Sequence, residues 1–368
     1  MIYLDSASSY PILPEVKESL SKSFRTHYAN SSSSHSLGLQ EAEVIKNLKE
    51  TLAEMIGAYA TEIIITSGAT ESNNFALKSL DIDNPKKHII TSSIEHKCVL
   101  NISEYLQNIG FEITYVKPNS EGVITSNSVE NEIREDTAII SIMHVNNELG
   151  TVNDIQKIGD LCYQNDILFH TDAAQSLGKL PIDVDELNID MMSFSAHKIG
   201  GPKGIGAVYV RDLKLKNISP VIHGAGQEYG LRGGTVATPL VSGFNDALLG
   251  FNRYYDMQEF ERLKDIMCRK LEENGVLFQI NGCNTLAHII SLSLSNVNVI
   301  LFLQKYSDSI CVSQGSACSS RNIEPSHVLT AIGISNEVAN NTLRIGLHSQ
   351  ISDIDITYFV EAIIDCKL

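Results

Sequence analysis

The fold is decided by Ile167-Leu168-Phe169-His170-Thr171-Asp172-Ala173-Ala174-Gln175, then Met191-Met192-Ser193-Phe194-Ser195-Ala196-His197-Lys198, then Gly200-Gly201-Pro202-Lys203-Gly204-Ile205-Gly206. Two short apolar runs have the length of buried strands. The first ends in a carboxylate, Asp172, and the second in a lysine, Lys198, with a glycine-rich turn behind it. Open α/β sheets place their ligands at strand ends. A lysine for a Schiff base, with an acid to keep a ring nitrogen protonated, suits pyridoxal phosphate (PLP).

Working outward, the same kind of run recurs at Ile63–Thr66, His88–Thr91, Glu112–Val116, Ala138–Ile142 and Ala207–Val210. Helical patterns lie between them, over Glu41–Ile56, Ser72–Leu80, Val99–Ile109 and Ile155–Gln164. This alternation predicts an α/β fold with a mixed, mostly parallel central sheet. After about residue 245 the pattern changes. One long helix is expected from Val241 to about Asn274, then strands near Phe278–Ile280 and Ile289–Leu294, and a last helix after Ser352. The expected division is a large domain over residues 16–245 and a smaller α+β domain built from residues 1–15 and 246–368.

The chain has 368 residues, enough for about two domains. Its net charge of −16 argues against non-specific nucleic-acid binding. Seven cysteines with no CxxC spacing fit free thiols better than a disulfide framework or a zinc site, so no metal is expected. No apolar run approaches the roughly 20 residues of a membrane span, and Met1-Ile2-Tyr3-Leu4-Asp5 lacks a basic signal region. A cytoplasmic enzyme is expected, without direct nucleic-acid or membrane binding.

Several segments offer chemistry. Ser67-Gly68-Ala69-Thr70-Glu71 is a glycine turn before a helix, a natural phosphate site that is otherwise a simple cap. His96 follows the strand at 88–91 and could stack on a cofactor ring and move protons; alone, such a histidine is more often a satisfied strand-end residue. Asn147 lies after the strand at 138–142, in a position for turn chemistry or for a ligand amide bond. Gln175 is spaced to sit beside a ring over Asp172. The loop Gly224 to Thr235 is either a surface connection or a second approach to phosphate. Arg344, in an apolar run, needs an anion: a substrate carboxylate or an internal salt bridge. Gln314-Gly315-Ser316-Ala317-Cys318-Ser319-Ser320 places one thiol among small residues, so Cys318 is expected to be accessible. Cys98, Cys162 and Cys268 lie in helical patterns and read as core or incidental.

Taken together, Thr66 to Ser72, Met143 to Glu148, Ser193 to Gly206 and Gly315 to Cys318 resemble the cysteine desulfurases of the class-V aminotransferase family, over nearly the whole chain. The Gly-Ser-Ala-Cys segment is similar to the group with a long, mobile cysteine loop. The resemblance implies the PLP-dependent transferase fold, with the cysteine loop in the smaller domain. It implies Lys198 as the Schiff-base lysine, Asp172 at the ring nitrogen and Gln175 near the ring hydroxyl. Ala69, Thr70, Ser195 and His197 match phosphate-binding positions, His96 the stacking histidine, and Asn147 a contact to cofactor and substrate. Arg344 matches the substrate carboxylate clamp and Cys318 the sulfur acceptor. Thr235 matches a threonine that reaches the partner's cofactor phosphate, which implies a homodimer. Tyr229 departs from the family's usual arginine, and Gly233 from its serine.

The implied reaction converts L-cysteine to alanine. Lys198 moves the α-proton, the Cys318 thiolate takes the sulfur as a persulfide, and His96 assists as a base. A sulfur-acceptor protein is implied, serving iron–sulfur assembly, tRNA thiolation or DNA phosphorothioation. A selenocysteine lyase or another class-V PLP enzyme is the alternative; plain transamination needs no thiol. A binding module that merely keeps the fold is disfavoured by the intact Lys198, Asp172 and Cys318 set.

Overall fold

The computed structural model describes residues 1–80, 85–213, 218–314 and 325–368. The chain starts with strand β1 (Ile2–Tyr3) and helices α1 (Pro14–Thr26) and α2 (Ser36–Ile56). The central sheet follows: β2 (Ile63–Thr66), β3 (His88–Ser92), β4 (Glu112–Val116), β5 (Thr137–Ser141), β6 (Leu168–Asp172), β7 (Met191–Ser195) and β8 (Gly206–Val210). In space the order is β2-β8-β7-β6-β5-β3-β4. Strand β8 runs antiparallel to both neighbours and the other pairs are parallel, so the sheet is mixed and mostly parallel. The chain leaves β3 for β4 at one edge and returns to β5 on the other side of β3. The strand order therefore reverses between β3 and β5, the kind of place where such sheets bind ligands.

Side chains alternate across this sheet with period two. Ile63 and Ile65 pack into a large core with Leu48, Leu52 and Phe244, while Ile64 packs on the opposite face with Phe75 and Val208. Both faces are covered, which is why the strands read as continuous apolar runs. The covering helices are α3 (Ala69–Lys78), α4 (Lys97–Asn108), α5 (Ser126–Glu130), α6 (Ile155–Gln164) and α7 (Thr238–Gly250). Helix α6 shows the logic. Asp154 caps it by accepting from the Lys157 N–H, and Ile155, Ile158, Gly159 and Cys162 form its buried stripe.

The remaining chain holds α8 (Met257–Glu273), β9 (Phe278–Asn281), β10 (Ile289–Leu294), α9 (Val299–Lys305), β11 (Ile310–Cys311), α10 (His327–Ala331), α11 (Asn336–Asn340), β12 (Thr342–Gly346) and α12 (Asp353–Ile364). Strands β12-β10-β9 form an antiparallel sheet, and β1 pairs in parallel with β11. A second core gathers Leu4, Phe260, Leu263, Leu292 and Phe359. The single helix expected from Val241 to Asn274 is instead two, α7 and α8. It breaks after Gly250 because Phe251 is fully buried, the Tyr255 ring stacks on it at 5.6 Å, and Asp256 starts a new helix by accepting from the Gln258 and Glu259 N–H groups. Among the described residues no helix is long and apolar enough to cross a membrane.

Candidate active site

The ends of β2, β3, β5, β6 and β7 meet at one cleft of about 430 Å³. Ala69, Thr70, His96, Asn147, Asp172, Gln175, Ser195, His197, Lys198 and Arg344 all line it. These are the expected cofactor and substrate residues except Thr235. Cys318 lies outside the described residues.

Strand β6 ends at Asp172, which is 6% exposed. Its Oδ1 accepts the Ala174 N–H at 2.9 Å and its Oδ2 accepts Asn73 Nδ2–H at 2.7 Å. One turn after β7 comes Lys198. Its Nζ donates to the carbonyls of Ala7 (2.8 Å) and Ser8 (2.9 Å). The Ala7 carbonyl also accepts from Gln175 Nε2 at 2.8 Å, so one N-terminal strap spans both residues. Beside Lys198, burial and then the lysine charge push His197 down to about 3, so this imidazole is neutral.

Arg344 enters from β12 and is 3% exposed. Its Nη2 pairs with Asp5 Oδ1 at 2.9 Å and donates to Ser8 Oγ, and its Nη1 donates to the Asn147 carbonyl at 3.2 Å. Its buried Nε has no partner among the described residues. The guanidinium thus has its internal salt bridge and, of its five N–H donors, still keeps the Nε–H and one Nη1–H unused among the described residues.

His96 is the N-cap of α4, and its Nδ1 accepts from the Cys98 N–H at 3.2 Å. Cys98 Sγ lies 3.0 Å from the same nitrogen and 3.2 Å from Asn73 Nδ2. Cys98 therefore lines the cleft as well as packing against the core around Leu77 and Val99, a role at the site that its helical pattern did not signal. Burial, then the Asp172 charge, pushes its thiol up to about 12. Asn73, Asp5 and Ser8 were not singled out from sequence. Asn73 sits four residues after Ala69, one turn along the same helix; the pairing of the strap with Arg344 left no local signal.

The donor set fits PLP. Helix α3 opens at Gly68 (φ 145°) with no side chain capping it, which leaves the first N–H groups and the helix dipole for an anion. A Cβ on Gly206 would lie 2.6 Å from Gly68 Cα, so only glycine lets β8 approach this turn. A buried carboxylate and a lysine face the same space.

Thr235 is exposed and outside the cleft of its own chain. Its loop is fastened at two points. Arg232 Nε meets Glu71 Oε1 at 2.8 Å, and Glu71 Oε2 accepts the Ser67 N–H at 2.7 Å. Glu228 Oε2 takes Lys49 Nζ and the Ile65 N–H, both at 2.8 Å.

The Aminotransferase class-V family model matches residues 2–359. A protein called "Cysteine desulfurase, mitochondrial" from Candida maltosa is 41% identical over 98% of this chain and 76% of its own. "Cysteine desulfurase IscS" from Rickettsia prowazekii is 40% identical over 98% of this chain and 90% of its own. The solved structure "SspA in complex with cysteine" superposes with a TM-score of 0.86 at 45% identity, covering 94% of this chain and 99% of that one. A family match over residues 2–359, with relatives about 40% identical over nearly the whole chain, leads to one conclusion: the chain belongs to the class-V aminotransferase family.

Proposed function

We propose that this protein is a cysteine desulfurase, taking sulfur from L-cysteine to give L-alanine and a persulfide on Cys318. The observation that carries the reading is one cleft lined by Lys198, Asp172 and Arg344 in a chain similar along its length to cysteine desulfurases. The family depends on PLP, which when bound withdraws electrons from the substrate Cα.

Asp172 would hold the ring nitrogen's proton, its carboxylate already fixed by Asn73 and the Ala174 N–H. The phosphate would take the open N–H groups of Ala69 and Thr70, with Ser195 and His197 beside them. Gln175 would serve the ring hydroxyl, and the His96 ring would stack. Arg344 binds the substrate carboxylate through its guanidinium, and Asn147 helps orient it. Lys198 Nζ leaves the carbonyls of Ala7 and Ser8 and takes the proton from the substrate Cα. The Cys318 thiolate then attacks the substrate sulfur. A sulfur–sulfur bond forms and the Cβ–S bond breaks. The electron pair stays on carbon, which gains a proton to become alanine's methyl group.

The proposal extends to a homodimer in which Thr235 reaches the partner's cofactor phosphate, supported by its exposure and its fastened loop. It includes a sulfur-acceptor protein in iron–sulfur assembly, tRNA thiolation or DNA phosphorothioation, and a cytoplasmic setting, consistent with the free cysteines among the described residues. It also divides the chain into a domain over 16–245 and one over 1–15 with 246–368, supported by the second core, which draws its buried residues only from Leu4 and from Phe260 onward, although Tyr10, Leu13, Phe251 and Val328 pack into the first. The test is incubation of the PLP-loaded protein with L-cysteine and a thiol reductant. Alanine and sulfide should appear in equal amounts; absence of both overturns the reading.

A further inference from the structure

His96 Nδ1 faces two donors. One is the Cys98 backbone N–H at 3.2 Å, which opens α4. A backbone N–H can only donate, so Nδ1 must offer its lone pair, and a neutral imidazole then carries its proton on Nε2. The other neighbour is the Cys98 thiol at 3.0 Å. Its direction is set from the far side. Asn73 Nδ2, which also only donates, lies 3.2 Å from Sγ while donating to Asp172 Oδ2 at 2.7 Å. The sulfur accepts from Asn73, and the Thr70 hydroxyl is placed to donate to it as well, which directs its own S–H at His96.

We propose that Cys98 and the first turn of α4 lock His96 as the neutral Nε2–H tautomer, making it a fixed hydrogen-bond donor rather than the base that deprotonates a thiol. Cys98 is the positioning residue, and Asn73 ties it to Asp172. For His96 to act as a base it would have to protonate at Nδ1 and give up the helix cap. The charges around it are Asp172 at the end of β6, Glu148 after β5, Lys198 after β7 and His327 of α10, with Glu95 next in the chain. The carboxylates favour a charged imidazole, and Lys198 and His327 oppose it. Burial outweighs them all and holds His96 below the ordinary histidine value. The consequence for thiol chemistry rests on the cysteine desulfurase reading; the tautomer does not.

The test is NMR of ¹⁵N-histidine-labelled, PLP-loaded protein, with His96 assigned by a His96→Gln comparison, over a pH series. Wild type should show an unprotonated, pyridine-like Nδ1 and a protonated Nε2. Cys98→Ala keeps the backbone donor, so the tautomer should persist, but loss of one donor to the neutral ring should raise the His96 titration by about one pH unit. Cys98→Ser keeps a donor and should restore it. A protonated Nδ1 in wild type, or coincident titrations of wild type and Cys98→Ala, overturns the proposal. The spectra read protonation and not turnover, so an inactive enzyme would sink the desulfurase reading and leave this one standing.

Discussion

Glu95 shows what the site demands of a single residue. It is 1% exposed, its Oε1 accepts from Ser92 Oγ at 2.6 Å and from the Met143 N–H at 2.9 Å, and its Oε2 has no partner among the described residues. Burial raises its carboxyl from 4.5 to about 8, against the hydrogen bonds that favour the anion. A folded-state value above the unfolded one means the native protein binds the extra proton. Stability should therefore fall as pH rises from about 4.5 to about 8. Glu95→Gln keeps the shape without the charge. Melting curves should show its advantage over wild type growing across that window, and a gap independent of pH would contradict this. At this scale the sequence was legible where a residue ends a strand or follows it within a turn, as at Asp172 and Lys198. It was illegible at Asn73 and Cys98, whose roles arise only when α3 and α4 are set side by side by the sheet.

The loop that ends at Thr235 makes the same point for an element. Read as a sequence, its glycines suggested a surface connection or an approach to phosphate. In the fold it is anchored by Glu228, whose 5%-exposed side chain meets Lys49 of α2 (9% exposed) and the edge of β2. Lys49 Nζ also lies 4.9 Å from the Tyr229 ring centre, which gives the tyrosine in place of the family's usual arginine a physical role as a face for this cation. Glu228 (φ 46°) and Tyr229 (φ 59°) are both left-handed, a conformation that these anchors must hold. Lys49→Met would leave a buried carboxylate without its cation and should cost about 3 kcal/mol in urea unfolding. Adding Glu228→Gln, which keeps the bond to the Ile65 N–H, should recover most of that loss. Equal destabilisation of the single and double variants would mean the charge is not what matters. None of this anchoring was legible, because Lys49, Ile65 and Glu228 lie far apart in sequence and meet only where α2, the edge strand β2 and the loop come together.

For the whole molecule, alternating strands and helices and the starting points of α6 and α12 were legible, since each rests on local pattern. The break between α7 and α8 was not, because the buried face of Phe251 and Tyr255 depends on packing from elsewhere. The site is likewise a product of the whole chain: Asp5 near the start pairs with Arg344 near the end, over a lysine from the middle. In the proposed reaction, what turns such a PLP cleft toward sulfur is Cys318. The most direct measurement is mass spectrometry of the loaded enzyme after brief exposure to L-cysteine without reductant, beside Cys318→Ala. The account predicts one added sulfur on the Cys318 peptide of wild type, and, in the variant, retained cofactor absorbance with no alanine formed. Alanine production by Cys318→Ala at the wild-type rate would contradict it.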